Sequence, residues 1–269
     1  MSFAPGHISL TFAIWENDDE MSKGSTGIGL VVPQGVHCAI EKSKAKKNIV
    51  IRKGEEIDDL VTLRAVELLG FKDQGLVIYQ RLDLPLGSGF GISGASALAA
   101  CLELERDIDK CVEASHKAEV EYNTGLGDVV AIAESLRNTR FPSVVIRETP
   151  GFRGKVTCKP IKEKFVVCIS GLGRNTSDII SDKNWVEIIN SAALGINYNS
   201  VSLRSAIKIG RLFTERTGLI NENTCHVIDR LPLDSVSTVA HLGTSIVATS
   251  DNIPMLVESL QEFGAVREY

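Results

Sequence analysis

Residues 85–97 read Pro85-Leu86-Gly87-Ser88-Gly89-Phe90-Gly91-Ile92-Ser93-Gly94-Ala95-Ser96-Ala97, and the fold is decided by how this stretch is understood. Four glycines (Gly87, Gly89, Gly91, Gly94) fall within eight positions, between a strand expected over 75–82 and an apolar-periodic helix expected over 93–106. Glycine admits positive φ and lets backbone N–H groups come close to a ligand. A helix starting just after such a loop adds unpaired N–H donors and the positive end of a dipole, so the segment reads as an anion cradle. Ser88, Ser93 and Ser96 add hydroxyls suited to phosphate or magnesium. A plain strand-to-helix turn is the simpler alternative, but it rarely needs four glycines.

Two common nucleotide motifs fail in this context. Gly89, Gly91 and Gly94 match G-x-G-x-x-G, but the dinucleotide fingerprint needs a second strand ending in an acid about 20 residues on. Here helical periodicity runs on to about Tyr122. A P-loop needs Lys-Ser/Thr after its last glycine, and none follows.

Outward from the loop, strand and helix signals are mixed, without strict βαβ alternation, which implies an α+β fold. Alternation at Ile8, Leu10, Phe12 and Ile14 predicts a first strand. The apolar runs 28–32 and 36–40 flank Pro33-Gln34-Gly35, which reads as a hairpin. Strands are expected at 48–52, 143–147, 154–158 and 164–170, and helices at 56–69, 108–122 and 128–138. A second half carries helices near 176–193, 200–217 and 251–263 around apolar runs at 235–240 and 244–249. Pro160 and its Lys-rich surroundings place a domain boundary there, giving 1–160 and 161–269.

The chain has 269 residues, a net charge of −5 and 43% hydrophobic residues, an ordinary globular composition long enough for a large core. The acidic balance argues against general nucleic-acid binding. No apolar run approaches a membrane span, and the first residues lack a secretory pattern, so a cytoplasmic protein is expected. The six cysteines lack metal-ligand spacing and read as free thiols in a reducing compartment. The cluster Lys42, Lys44, Lys46 and Lys47 reads as edge-strand lysines that discourage sheet pairing. A homodimer is the base-rate expectation for the oligomeric state.

Two acids follow the loop. At about 100° per residue, Glu119 falls on the same helix face as Ile108, Val112, Ser115 and Tyr122. A carboxylate on a core-facing stripe is costly unless paired or metal-bound. Asp128 follows the glycine turn Gly125-Leu126-Gly127, where it could cap a helix.

The 85–96 segment resembles the ATP loop of the galactokinase, homoserine, mevalonate and phosphomevalonate (GHMP) kinase family, P-x-x-x-G-x-G-x-S-[SG]-A-S. Ala4-Pro5-Gly6-His7 is similar to that family's first motif, and His241-Leu242-Gly243-Thr244-Ser245 to its third. A narrower resemblance, to archaeal pantoate kinases, rests on residues 5–7, 86–95 and 125–131.

The resemblance implies a two-domain fold, with a ribosomal protein S5 domain 2-like N-terminal half and a ferredoxin-like C-terminal half. It also implies ATP- and Mg-dependent transfer to a primary hydroxyl of a small hydroxy acid. It assigns ATP contacts to Pro85, Gly87, Ser88, Gly89, Gly91, Ser93, Gly94 and Ser96, and magnesium to Ser96 and Glu119. Asp128 becomes the catalytic carboxylate and Arg147 its partner toward substrate or phosphate, with Arg140 as second choice. His7, Ser25, Thr26, Gly243 and Thr244 fall to the acceptor side.

Departures lie on that same side. Ser25-Thr26-Gly27 lacks an arginine usual in pantoate kinases, and a polar stretch from Glu134 to Arg140 replaces a Gly-Gly. Pantoate is the first choice of acceptor. Mevalonate 3-phosphate is the alternative, for which Lys23, Arg140 and Arg153 would supply cations. A non-catalytic nucleotide or metabolite sensor is the alternative of another class, and the presence of both Glu119 and Asp128 argues against it.

Overall fold

The computed structural model describes every residue except 172, 174, 199 and 200. Among the described residues, two sheets organise the chain. The larger is built around β3 (Gly24–Lys42), whose two ends serve different partners. Residues 27–31 pair with β7 (Ser143–Arg147), which continues to β8 (Val156–Pro160). Residues 36–42 pair with β6 (Leu76–Leu82), then β4 (Ile49–Arg52) and β5 (Glu55–Ile57). β1 (Ser2–Ser9) and β2 (Ala13–Trp15) also lie along β3.

The hairpin expected at Pro33-Gln34-Gly35 is therefore a single 19-residue strand. β1 opposes it with Pro5 on Gly35 and Gly6 on Val32, so Pro33 and Gln34 form a bulge. A proline has no ladder N–H to give, and a bulge accommodates it without ending the strand. The lysine cluster is not one alternating strand either, since β3 ends at Lys42 and residues 43–48 turn.

Three helices pack against this sheet, α1 (Leu60–Leu68), α2 (Ile92–Leu104) and α4 (Asp128–Asn138), and α3 (Ile108–Glu121) packs on those three. α2 is buried over most of its length and runs Ala95, Ala97, Ala99, Ala100, small side chains that let neighbouring backbones close in. α3 begins where Asp107 accepts the Asp109 N–H, and α1 where Asp59 accepts the Thr62 N–H.

The second sheet has the order β10-β11-β9-β12, formed by β10 (Val236–Val239), β11 (Ile246–Thr249), β9 (Val166–Ile169) and β12 (Ala265–Glu268). All its pairings are antiparallel. β9 leads through α5 (Thr176–Ile180), α6 (Lys183–Ala193), α7 (Leu203–Thr217) and α8 (Glu222–Ile228) to β10 and β11. α9 (Ile253–Gln261) then leads to β12, which completes a split βαβ, ferredoxin-like unit. The helix expected over 176–193 breaks at Asp182, whose carboxylate caps the second piece through the Asn184 and Trp185 N–H groups. α8 and β12, short and polar, carried no periodic signal.

The largest buried cluster joins the halves. Ile8, Leu30, Phe90 and Leu98 from the first share it with Phe165, Leu203, Ile207 and Val247 from the second. Each fully buried side chain of this size contributes on the order of 1.5–3 kcal/mol. The cysteines are all free, and no helix among the described residues is long and apolar enough to cross a membrane.

Candidate active site

The glycine loop leaves β6 and enters α2 at Gly91, which has φ +58°. A side chain at Gly91 would be strained by that φ, and its Cβ would come within 3.0 Å of the Asp128 carboxyl. No side chain caps α2, so its first N–H groups are available to an anion. The second half braces the loop from behind. Gly173 N–H donates to the Gly87 carbonyl at 2.7 Å and the Ser245 hydroxyl to the Ser88 carbonyl at 2.9 Å.

A cavity of 190 Å³ opens in front of this helix end. That is below the ~300–1,000 Å³ of sites for drug-sized ligands, and suits a small acceptor. Gly87, Gly89, Gly91 and Ser93 form one wall, and Glu119, Thr124–Asp128, Ser25 and Arg147 another. Ser9, Phe12, Asn175, Thr176, Ile180, His241 and Leu242 also line it.

Asp128 is the first residue of α4, with Gly127 in the capping position. Its Oδ1 lies 2.5 Å from His7 Nδ1, so the side chain serves His7 rather than the helix backbone. Burial pushes its carboxyl up, but the His7 hydrogen bond, with the Arg147 charge nearby, outweighs this and holds it below the usual carboxylate range. With 21% of its side chain exposed, Asp128 is an ionised acceptor at the cavity surface.

Arg147, at the end of β7, is 2% exposed. Its Nη1 lies 3.4 Å from His7 Nε2, while Nε and Nη2 have no hydrogen-bond partner among the described residues. A buried guanidinium with one free edge matches an incoming carboxylate or phosphate.

Glu119 is 2% exposed and has no ion pair among the described residues. Its carboxylate accepts from the Thr124 hydroxyl at 3.2 Å and from Ser93. Gly94 and Gly125 flank it, and a Cβ on either would lie 2.6 or 2.3 Å from Oε2. Burial, then the Asp128 charge, pushes its pKa up to about 8. A buried carboxylate beside a serine hydroxyl, short of cationic partners and facing the phosphate cradle, fits magnesium. That ion is usually held by one or two carboxylates together with substrate phosphates.

A stability prediction follows from Glu119. The folded chain holds this proton more tightly than the unfolded one, so stability falls as pH rises from about 5 toward 8. Buried His7, His116 and His241, whose pKa values burial lowers, act in the opposite sense around pH 6.5. Comparison with Glu119→Gln isolates the carboxyl. Ligand-free wild type should lose stability relative to the variant by up to ~1.4 kcal/mol per pH unit in urea melts. A difference independent of pH would contradict the assignment.

The structure separates several residues that the sequence reading groups together. Ser96 lies one turn deeper than Ser93, fully buried, with its hydroxyl 3.2 Å from Arg52 Nη2 and away from Glu119's pocket. Ser93 takes its place beside Glu119. His7 is fully buried behind Asp128 and is not part of the cavity wall. Thr26 accepts from Trp15 Nε1 at 3.2 Å, whereas its neighbour Ser25 lines the cavity. Gly243 packs on the Ser88–Gly89 backbone, and Thr244 joins a separate groove with Ser170 and Arg230. Pro85 is exposed outside the cavity.

The candidate cations also lie elsewhere. Arg140 is exposed beyond the end of α4. Lys23 pairs with Glu16 at 2.9 Å, and Arg153 stacks on Phe152. No sequence motif marks Ser9, Phe12, Asn175 or Thr176 as cavity residues. Asn175-Thr176 has the composition of a helix start, which marks an N-terminus without saying what it faces.

No family model matches the chain. Curated relatives do. It is 28% identical to a pantoate kinase of Methanocaldococcus jannaschii, over 92% of each chain. Identity to a pantoate kinase of Methanospirillum hungatei is 28%, over 98% of this chain and 91% of that one. A Thermococcus kodakarensis pantoate kinase is 27% identical, over 92% and 86%. Among solved structures, a phosphotransferase related to the CoA biosynthesis pathway superposes with TM-score 0.77 at 23% identity, covering 99% of this chain and 94% of that one. An L. major mevalonate kinase in complex with R-mevalonate gives TM-score 0.64 at 15% identity, covering 100% and 94%. The chain thus has the fold of the GHMP kinases, and along nearly its whole length it is similar to pantoate kinases.

Proposed function

We propose that this chain is an ATP-dependent kinase that phosphorylates the primary hydroxyl of pantoate, giving 4-phosphopantoate. One observation carries the reading. An ionised Asp128 and a buried Arg147, whose Nε and Nη2 lack hydrogen-bond partners among the described residues, line one small cavity at the N-terminus of α2. An acceptor bearing both a carboxylate and a hydroxyl answers both groups at once, and the similarity to pantoate kinases names the acid.

Phosphoryl transfer is mainly positioning and charge neutralisation. Arg147 grips the acceptor carboxylate through Nε and Nη2, and Ser25 adds a hydroxyl on the same wall. Asp128 takes the proton of the acceptor hydroxyl as its oxygen bonds to the γ-phosphorus. The bond from that phosphorus to the β–γ bridging oxygen breaks, and ADP leaves. The N–H groups at the start of α2 receive phosphate charge. Glu119 and Ser93 would hold magnesium, which supplies further neutralisation of that charge when bound. We assign 1–160 to the nucleotide-binding half and 161–269 to the half that braces the loop, in a protein acting in the cytoplasm, where its six thiols stay reduced.

The test is ADP release with ATP and magnesium against pantoate, mevalonate, mevalonate 3-phosphate and homoserine. Saturable turnover with pantoate, at a kcat/KM at least about tenfold above the others, is expected. Preference for mevalonate 3-phosphate would reassign the acceptor. Tight ATP binding without turnover would favour a sensor.

A further inference from the structure

His7 lies between the two groups that define the site, yet touches neither the cavity nor the loop N–H groups. Its Nε2 is 3.4 Å from Arg147 Nη1 and its Nδ1 is 2.5 Å from Asp128 Oδ1. A guanidinium only donates, so the contact with Arg147 requires a bare Nε2. The ring hydrogen then sits on Nδ1 and is donated to Asp128. An imidazolium would set one N–H against another at Arg147. The Nε2–H tautomer would do the same and also leave a lone pair facing the carboxylate.

The surroundings are shaped for this ring. Gly29 on β3 faces it, and a Cβ there would be 2.0 Å from Nε2. The His7 backbone N–H donates to the Phe90 carbonyl at 2.8 Å, tying the residue to the glycine loop. Burial lowers the pKa of His7 against the hydrogen bond and charge of Asp128, and the charge of Arg147 lowers it further. The other ionisable groups facing this trio are Glu119, toward Asp128, and Tyr198, beside Arg147.

We propose that His7 is a positioning residue for the transfer reaction, a neutral Nδ1–H imidazole that couples Arg147 to Asp128 and holds the carboxylate turned into the cavity. The inference rests on the reading of Asp128 as the group that orients the acceptor hydroxyl. A second cation at this place would repel Arg147. A neutral donor aligns the acid without adding charge, and it makes the acceptor grip and the acid interdependent. Protonation of His7 breaks the link to Arg147, so both fail together at low pH.

Two measurements test it. In the full-length chain labelled with ¹⁵N-histidine, His7 should show a protonated Nδ1 and a bare Nε2 from about pH 6 to pH 8, with His7→Asn supplying the assignment. An imidazolium at pH 7, or the Nε2–H tautomer, overturns the proposal. This measurement needs no turnover, so it stands apart from failure of the kinase reading.

In steady state, His7→Ala should lower kcat by about 10²-fold, with the KM for ATP within about threefold. The acid limb of its kcat profile should move to higher pH, because Asp128 loses its donor. His7→Asn, whose amide N–H can take the place of Nδ1–H, should recover most of kcat and the original limb. Equal activity of His7→Ala and wild type, or equal impairment of the two variants, overturns the proposal. If His7→Ala does not fold, His7→Asn activity and the tautomer decide.

Discussion

Asp128→Asn should lower kcat by about 10³-fold while leaving ATP affinity unchanged or slightly tighter. General-base contributions of this kind span about 10²–10⁴. The substitution is close to isosteric, and the Asn oxygen can still accept from His7 Nδ1, so the geometry of the trio survives. What disappears is the negative charge that His7 and Arg147 hold in place, and with it the capacity to take the hydroxyl proton. Removing a carboxylate near incoming phosphates cannot weaken their binding by charge. The check pairs ADP release with an ATP titration of the same preparation. A kcat within tenfold of wild type would show that Asp128 does not accept the proton.

Arg147→Lys should reduce acceptor kcat/KM by about 10²–10³-fold, with the KM for ATP within about threefold. An ammonium keeps the charge but loses the planar fork. It cannot donate to His7 Nε2 and present two parallel N–H groups to a carboxylate at once. The wild-type guanidinium does the first through Nη1 and leaves Nε and Nη2 for the second. Most of the loss should appear in the acceptor KM, since the contact exists in ground and transition states alike. Part should appear in kcat, through the slackened His7 and Asp128. A variant with wild-type acceptor KM would place the carboxylate elsewhere.

Much of this is legible in the sequence alone. α4 and β7 fall at the residues expected, because a helical apolar stripe marks the first, a short apolar run the second, and glycine or proline bounds them. Helical phase depends only on local spacing, so the sequence alone turns Glu119 toward the core, where it is buried. The rest depends on tertiary structure. Ser93 and Ser96 are three residues apart on one helix, and only the position of α3 determines which of them meets Glu119. The bulge in β3 looked like a turn because Pro33 and Gly35 carry the same local signal in both. Local spacing does not link His7 to its partners, because Asp128 and Arg147 lie 121 and 140 positions away.

The measurement that bears most directly on the proposed reaction is ³¹P NMR of the product formed from ATP, magnesium and pantoate. A phosphomonoester signal split into a triplet by two methylene protons, growing in step with ADP, is expected, as transfer to the primary hydroxyl requires. A doublet from transfer to the secondary hydroxyl, or inorganic phosphate alone, would contradict it.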